Sequence, residues 1–89
     1  MPPPFANIQF DRKVLADLGR YPRQINACLK RAFRDIRDGP LELQALATQP
    51  PGLYFAHACG HQIIASVHEP SQTVVILDAI PFASPGLLP

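Results

Sequence analysis

Apolar and polar positions alternate over Phe5-Ala-Asn-Ile-Gln-Phe10, where Asn7 and Gln9 separate Ala6, Ile8 and Phe10, and this predicts a short strand. The period then changes. Val14, Leu15 and Leu18 share one side of a helix predicted over Arg12 to Leu18, with Asp11 suited to cap its start and Gly19 to end it. A second helix is the clearest element: Ile25, Cys28, Leu29, Ala32, Phe33 and Ile36 form a single apolar stripe at helical spacing. Pro22 suits its first turn and Gly39-Pro40 stops it. Cys28 lies within the stripe and is expected in the core.

Beyond Gly52 the pattern turns to strands. Leu53 to Ala58 runs into a tight turn at Cys59-Gly60, His61 to His68 follows, and Glu69-Pro70-Ser71-Gln72 makes another turn. Thr73 to Ile80 is β-branched and almost wholly apolar, so it is expected to be a central strand buried on both faces, ended by Pro81. The order strand, helix, helix, three strands predicts an α+β fold: an antiparallel sheet with an N-terminal strand and a two-helix hairpin packed on one face. A chain of 89 residues allows one domain over 1–89, with proline-rich ends at 1–4 and 82–89. Phe82, Leu87 and Leu88 are apolar enough that this tail is expected to pack on the sheet or to meet a partner.

A hydrophobic content of 47% with 17% charged residues excludes an ordinary disordered tail. No apolar run approaches the roughly 18–20 residues of a membrane span. Met1-Pro2-Pro3-Pro4-Phe5 shows neither the basic nor the apolar region of a signal peptide, so a cytoplasmic protein away from membranes is expected. Cys28 and Cys59, the 2 cysteines, are too few for a disulfide scaffold. The net charge of +1 conceals an asymmetry. All 8 Lys and Arg lie between Arg12 and Arg37, accompanied by Asp11, Asp17, Asp35 and Asp38, while residues 39–89 hold Glu42, Glu69 and Asp78 and no base. The first half suits a polyanion or an acidic partner; the second cannot grip phosphate with Lys or Arg.

Phe10…Val14-Leu15…Leu18, the Tyr21-Pro22…Ile25 joint, and Gly52-Leu53-Tyr54…Gly60-His61-Gln62-Ile63-Ile64, taken in this element order, resemble the RelE/ParE superfamily of type II toxins. The resemblance runs from about Phe10 to Ile80 and is nearest to the RelE/YafQ-like branch, with a degenerate site. It implies either ribosome-dependent mRNA cleavage, as in RelE-like members, or inhibition of DNA gyrase by binding, as in ParE-like members. It also implies a cognate antitoxin protein as partner, with ribosome and mRNA for the nuclease reading, and no cofactor or metal. The family's strand lysines fall near Leu53 and Phe55, its strand arginine on Gln62 and its last-strand arginine on about Phe82, so none of those charges is present. In YafQ-like toxins a histidine and, four residues on, an aspartate occupy this hairpin. Here His57 and His61 take those places, the final strand-end histidine falls near Phe82, and an earlier one has no counterpart around Gln49.

RNA cleavage without metal needs a base for the 2′-hydroxyl, an acid for the 5′-oxygen and positive charge on the phosphorane, and imidazole can serve as acid or base near neutrality. His57 and His61 are therefore the candidate acid–base pair, with Gln62 on phosphate. Cooperation depends on register. A two-residue Cys59-Gly60 loop puts His57 opposite Gln62 and His61 on the other face, whereas a three-residue turn including Ala58 lets the histidines face each other. Otherwise both are polar residues of a solvated face, or, with Cys59, three ligands in search of a fourth for a metal. His68 reads as a strand-end surface residue, and Cys59 as exposed at the turn. Arg23, Lys30, Arg31, Arg34 and Arg37 lie mostly off the apolar stripe. They form either a solvated face with Arg31–Asp35 and Arg34–Asp38 pairs, or an RNA-anchoring surface as the resemblance implies.

Overall fold

A computed structural model describes residues 3–47 and 52–82, in the order β1 (Asn7–Phe10), α1 (Arg12–Leu18), α2 (Arg23–Asp38), β2 (Gln44–Ala45), β3 (Leu53–Ala58), β4 (His61–His68), a 3-10 turn (Glu69–Ser71) and β5 (Thr73–Pro81). The expected α+β class and helical hairpin are present. Asp11 caps α1 by accepting from the Lys13 backbone N–H at 2.9 Å. Pro22 stands just before α2 and not inside its first turn. Gly39 ends α2 in the left-handed conformation, φ 116°, with its N–H on the Asp35 carbonyl at 2.8 Å.

The strands form one sheet in the order β1-β5-β4-β3-β2. It is mixed, not antiparallel throughout: β1 runs parallel to β5, and the other neighbours are antiparallel. The two helices between β1 and the hairpin strands carry the chain across the sheet face, which a parallel pairing requires. Two-residue β2, on the edge beside β3, is an element too short for alternation to reveal.

The core lies between the helices and one sheet face. Val14 and Leu18 of α1 and Leu29, Phe33 and Ile36 of α2 pack with Ala56, Ile63, Ala65, Val74 and Ile76. Phe10 meets Phe33 edge-on, 5.3 Å between ring centroids. A bulge positions the far end of β5. Ile64 pairs with Asp78 but Ala65 pairs with Ile76, leaving Leu77 as an extra residue. The inward parity therefore shifts from Val74 and Ile76 to Ala79, and Ile80 turns outward, 47% exposed. The expectation that β5 is buried on both faces is corrected accordingly: Val75 and Leu77 are only half-buried, because both helices lie on the other face. Phe82 is 45% exposed, and the rest of the tail, 83–89, lies outside the described residues.

Cys28 and Cys59 form a disulfide that joins α2 to the β3–β4 turn, 6.1 Å between Cα atoms. This corrects both cysteine expectations. Cys28 sits at the border of the apolar stripe and looks toward the turn; its side is exposed, and Leu29 takes the core position.

Candidate functional site

The β3–β4 turn decides the site. Cys59 and Gly60 both have left-handed backbones, φ 56° and 70°, the pattern of a two-residue type I′ loop. The register follows: His57 lies opposite Gln62, and Ala58 opposite His61. Because side chains alternate across the sheet, the histidines point to opposite faces. The acid–base pair weighed for His57 and His61 is not assembled in this register.

His61 is part of the helix-side interior, 6% exposed. Its Nδ1 lies 2.7 Å from the Cys59 carbonyl oxygen. A carbonyl only accepts, so Nδ1 carries a proton and donates it to that oxygen. Nε2 is buried with no hydrogen-bond partner among the described residues. The Tyr21 ring stands edge-on to the imidazole at 5.2 Å, and the Tyr21 hydroxyl donates to the Ala79 carbonyl at 3.4 Å. His61 thus acts as a brace under the turn. Burial, ahead of the nearby Asp17 and Asp78 charges, raises the Tyr21 phenol above its ordinary range.

His57 occupies the open face. It is exposed between two aromatic rings, 5.1 Å from Phe55 and 4.7 Å from Phe82, the latter nearly perpendicular at 87°. Gln62 stands across from it and Ile80 beyond, next on β5. Strands β3, β4 and β5 contain no Lys or Arg, so around His57 this face offers one imidazole and the Gln62 amide among apolar neighbours, while Ser66 and His68 stand further along β4 toward its other end. Asp78 is engaged by Lys13 of α1 at 2.9 Å, and this hydrogen bond raises the Lys13 ammonium above its ordinary range. The metal alternative meets two obstacles: the histidines diverge, and the Cys59 sulfur is in the disulfide. No group of three metal-ligating side chains occurs among the described residues. His68 is exposed at its strand end and bonds the Ser71 hydroxyl at 2.8 Å.

The basic residues lie elsewhere. Arg23, Lys30, Arg34 and Arg37 fall at intervals of seven, four and three along α2, one stripe on a helix that covers the opposite sheet face. Lys30, Arg34 and Arg37 border a groove of about 250 Å³ floored by Ile8, Phe10, Leu15, Leu18 and Phe33. Arg31 diverges from them and lines the cleft beside the disulfide. Neither the Arg31–Asp35 nor the Arg34–Asp38 pair forms among the described residues; Asp38 binds Arg37 instead at 2.9 Å, which lowers the Asp38 carboxyl below its ordinary range. The fold therefore does not bring the cations to His57 and Gln62. An open cavity of about 690 Å³ between Phe5, Leu41, Leu43, Tyr54 and Val67 has no motif in the sequence that would have pointed to it. It is formed by chain segments far apart in sequence.

No family model matches the sequence, and no curated protein is significantly similar to it. Solved structures are similar. A chain of the toxin–antitoxin complex RelBE2 from Mycobacterium tuberculosis matches with TM-score 0.76 and 25% identity, over 89% of this chain and 99% of that one. A chain of the archaeal RelE–RelB complex from Pyrococcus horikoshii OT3 matches with TM-score 0.66 and 20% identity, over 88% and 94%. The resemblance to the RelE/ParE superfamily read from the sequence thus extends to the whole fold. No helix among the described residues is long and apolar enough to cross a membrane.

Proposed function

We propose that this chain is the toxin of a toxin–antitoxin pair, held by a cognate antitoxin protein, and that it inhibits growth by contact with its target. The likeness to chains of two such complexes supports the toxin assignment. The separation of His57 from His61 by the sheet pleat supports the contact mode. Phosphodiester cleavage asks for an acid, a base and compensating positive charge at one place. Strands β3, β4 and β5 carry no Lys or Arg, and the second imidazole of the open face, His68, lies at the opposite end of β4 from His57 and Gln62. Its exposed Ile80 and Phe82 instead suit a protein surface. A gyrase-type target is the example the resemblance supplies.

One observation favours ribosome-dependent mRNA cleavage as a second reading. His57 is exposed beside Phe82 and opposite Gln62, a place where a base can stack and a phosphate can meet an imidazole. In that reading His57 is the sole titratable catalytic group, Gln62 a phosphate contact and the α2 stripe a distant RNA anchor. Cytoplasmic action is part of either reading.

Induced expression of the wild type beside His57→Ala tests this. Growth is followed, and mRNA ends are mapped by primer extension. Arrest with intact mRNA in both strains is expected. New mRNA ends that vanish in His57→Ala would overturn the contact mode in favour of the nuclease. Absence of arrest in the wild type would overturn the toxin assignment itself.

A further inference from the structure

We infer that Cys28 and Cys59 form a reversible thiol–disulfide site, exchanging with a dithiol reductant, whose oxidation state sets the conformation of the turn beneath His57 and Gln62. Its consequence for growth inhibition rests on the open face being the working surface; the redox site itself does not.

The bridge is placed where a local change would matter. Cys59 is two residues from His57 and three from Gln62, and the disulfide is the covalent tie between their turn and α2. It is also reachable. Cys28 is exposed and Cys59 half-buried, and both line an open cleft of about 290 Å³ with Arg31, Asp35 and Leu41. Arg31, one helical turn beyond Cys28, and Asp35 give this cleft a polar mouth open to a charged or polar reductant.

The backbone supplies an independent reason. Cys59 occupies the first central position of the turn with φ 56°, in the left-handed region. Asn, Asp and Gly are the residues that accept this conformation, and an L-cysteine there is sterically disfavoured. The bridge to α2 restrains it. Three contacts depend on that restraint: His61 Nδ1–H to the Cys59 carbonyl at 2.7 Å, the Phe82 N–H to the Gly60 carbonyl at 2.9 Å, and the His57–Phe82 ring contact at 4.7 Å.

The exchange balances without further reactants. A reductant thiolate attacks one protein sulfur, breaking the Cys28–Cys59 bond, forming a mixed disulfide and expelling the other cysteine as a thiolate. The reductant's second thiolate then attacks the mixed disulfide. Two electrons pass to the protein, which ends with two thiols after protonation, and the reductant ends as its disulfide. Freed of the cross-link, Cys59 leaves the left-handed region. The Cys59 and Gly60 carbonyls turn, His61 loses its partner, and Phe82 separates from His57.

The test uses the purified full chain. Maleimide labelling followed by mass spectrometry is expected to add no label before dithiothreitol and two labels after it. On reduction the Phe82 amide should exchange at least about fivefold faster, the factor that corresponds to about 1 kcal/mol of lost local stability. The His57 and His61 ring resonances should shift, while Ile8 and Val74 at the far end of the sheet stay in place. C28S/C59S should match the reduced protein and ignore dithiothreitol. C28S/C59G should keep the Phe82 amide protected, because glycine accepts the left-handed position unaided. Labelling before reduction would overturn the inference, as would Phe82 exchange unchanged by dithiothreitol. So would loss of Phe82 protection in C28S/C59G. Collapse of the dispersed Ile63 and Ile76 methyl signals on reduction would mean that the reduced chain unfolds as a whole and has no altered turn to present, which also overturns it. None of these readouts depends on whether the chain arrests growth.

Discussion

Replacing both cysteines by serine removes a cross-link between residues separated by 31 positions. A loop of that length restricts the unfolded chain by about 3.7 kcal/mol at 25 °C in the chain-entropy description. The folded side of the equilibrium changes less, because Cys28 is exposed and Cys59 only half-buried, so little apolar burial disappears with the sulfurs. Against the roughly 4–13 kcal/mol expected for a domain of this size, the loss is large. It corresponds to a fall in midpoint temperature on the order of 15–30 °C. Urea unfolding of the oxidised wild type and of C28S/C59S measures it. The midpoint should fall, and the m value should rise, because the unfolded variant is free to expand and expose more surface. A loss under about 1 kcal/mol with an unchanged m value would refute the argument, since the bridge would then not restrict the unfolded chain.

Two further predictions concern the periphery. Gly39→Ala places a Cβ at φ 116°, 3.2 Å from the Pro4 Cδ, so it should cost about 1–2 kcal/mol by urea titration, with a wild-type loss below about 0.5 kcal/mol counting against the account. At alkaline pH, Lys13 and Tyr21 both have folded values raised above their ordinary 10.5 and 10.0, the first chiefly by its hydrogen bond to Asp78 and the second chiefly by burial. Their contribution is therefore complete below those ordinary values and lost as pH rises through the raised ones. Melting temperatures followed from about pH 9 to 12 should fall, and the Lys13 part of the fall should be absent in Asp78→Asn.

Much of the architecture was legible because it rests on local periodicity. The stripe of Ile25, Leu29, Phe33 and Ile36 needs only 3.6 residues per turn to define α2, and Asp11 and Gly39 mark helix ends by their own backbone chemistry. The hairpin strands on either side of Cys59-Gly60 are equally local, and their limits match the expected ones. Local patterning does not state which strand lies beside which. The parallel β1–β5 pairing joins residues such as Ile8 and Val74, far apart along the chain, and is settled by the helices that cross between them.

The candidate site was legible as a set of residues and not as an arrangement. His57, His61 and Gln62 stand within six positions of sequence, yet a one-residue difference in turn length decides which of them share a face. The left-handed pair Cys59-Gly60 settles it, sending His57 to the open face and His61 to the interior. Cys28 looked like any apolar stripe residue, since a border position on a helix differs from a central one only through what packs beside it. The bulge at Leu77 likewise turns Ala79 inward and Ile80 outward, against the alternation begun at Val74. By itself the sequence determined the elements other than β2, the helix caps, the uneven distribution of charge and the absence of cations from the hairpin and last strand. Register, disulfide pairing and the faces given to the histidines and the basic stripe were decided by tertiary structure, because each depends on residues that meet only when the chain is folded.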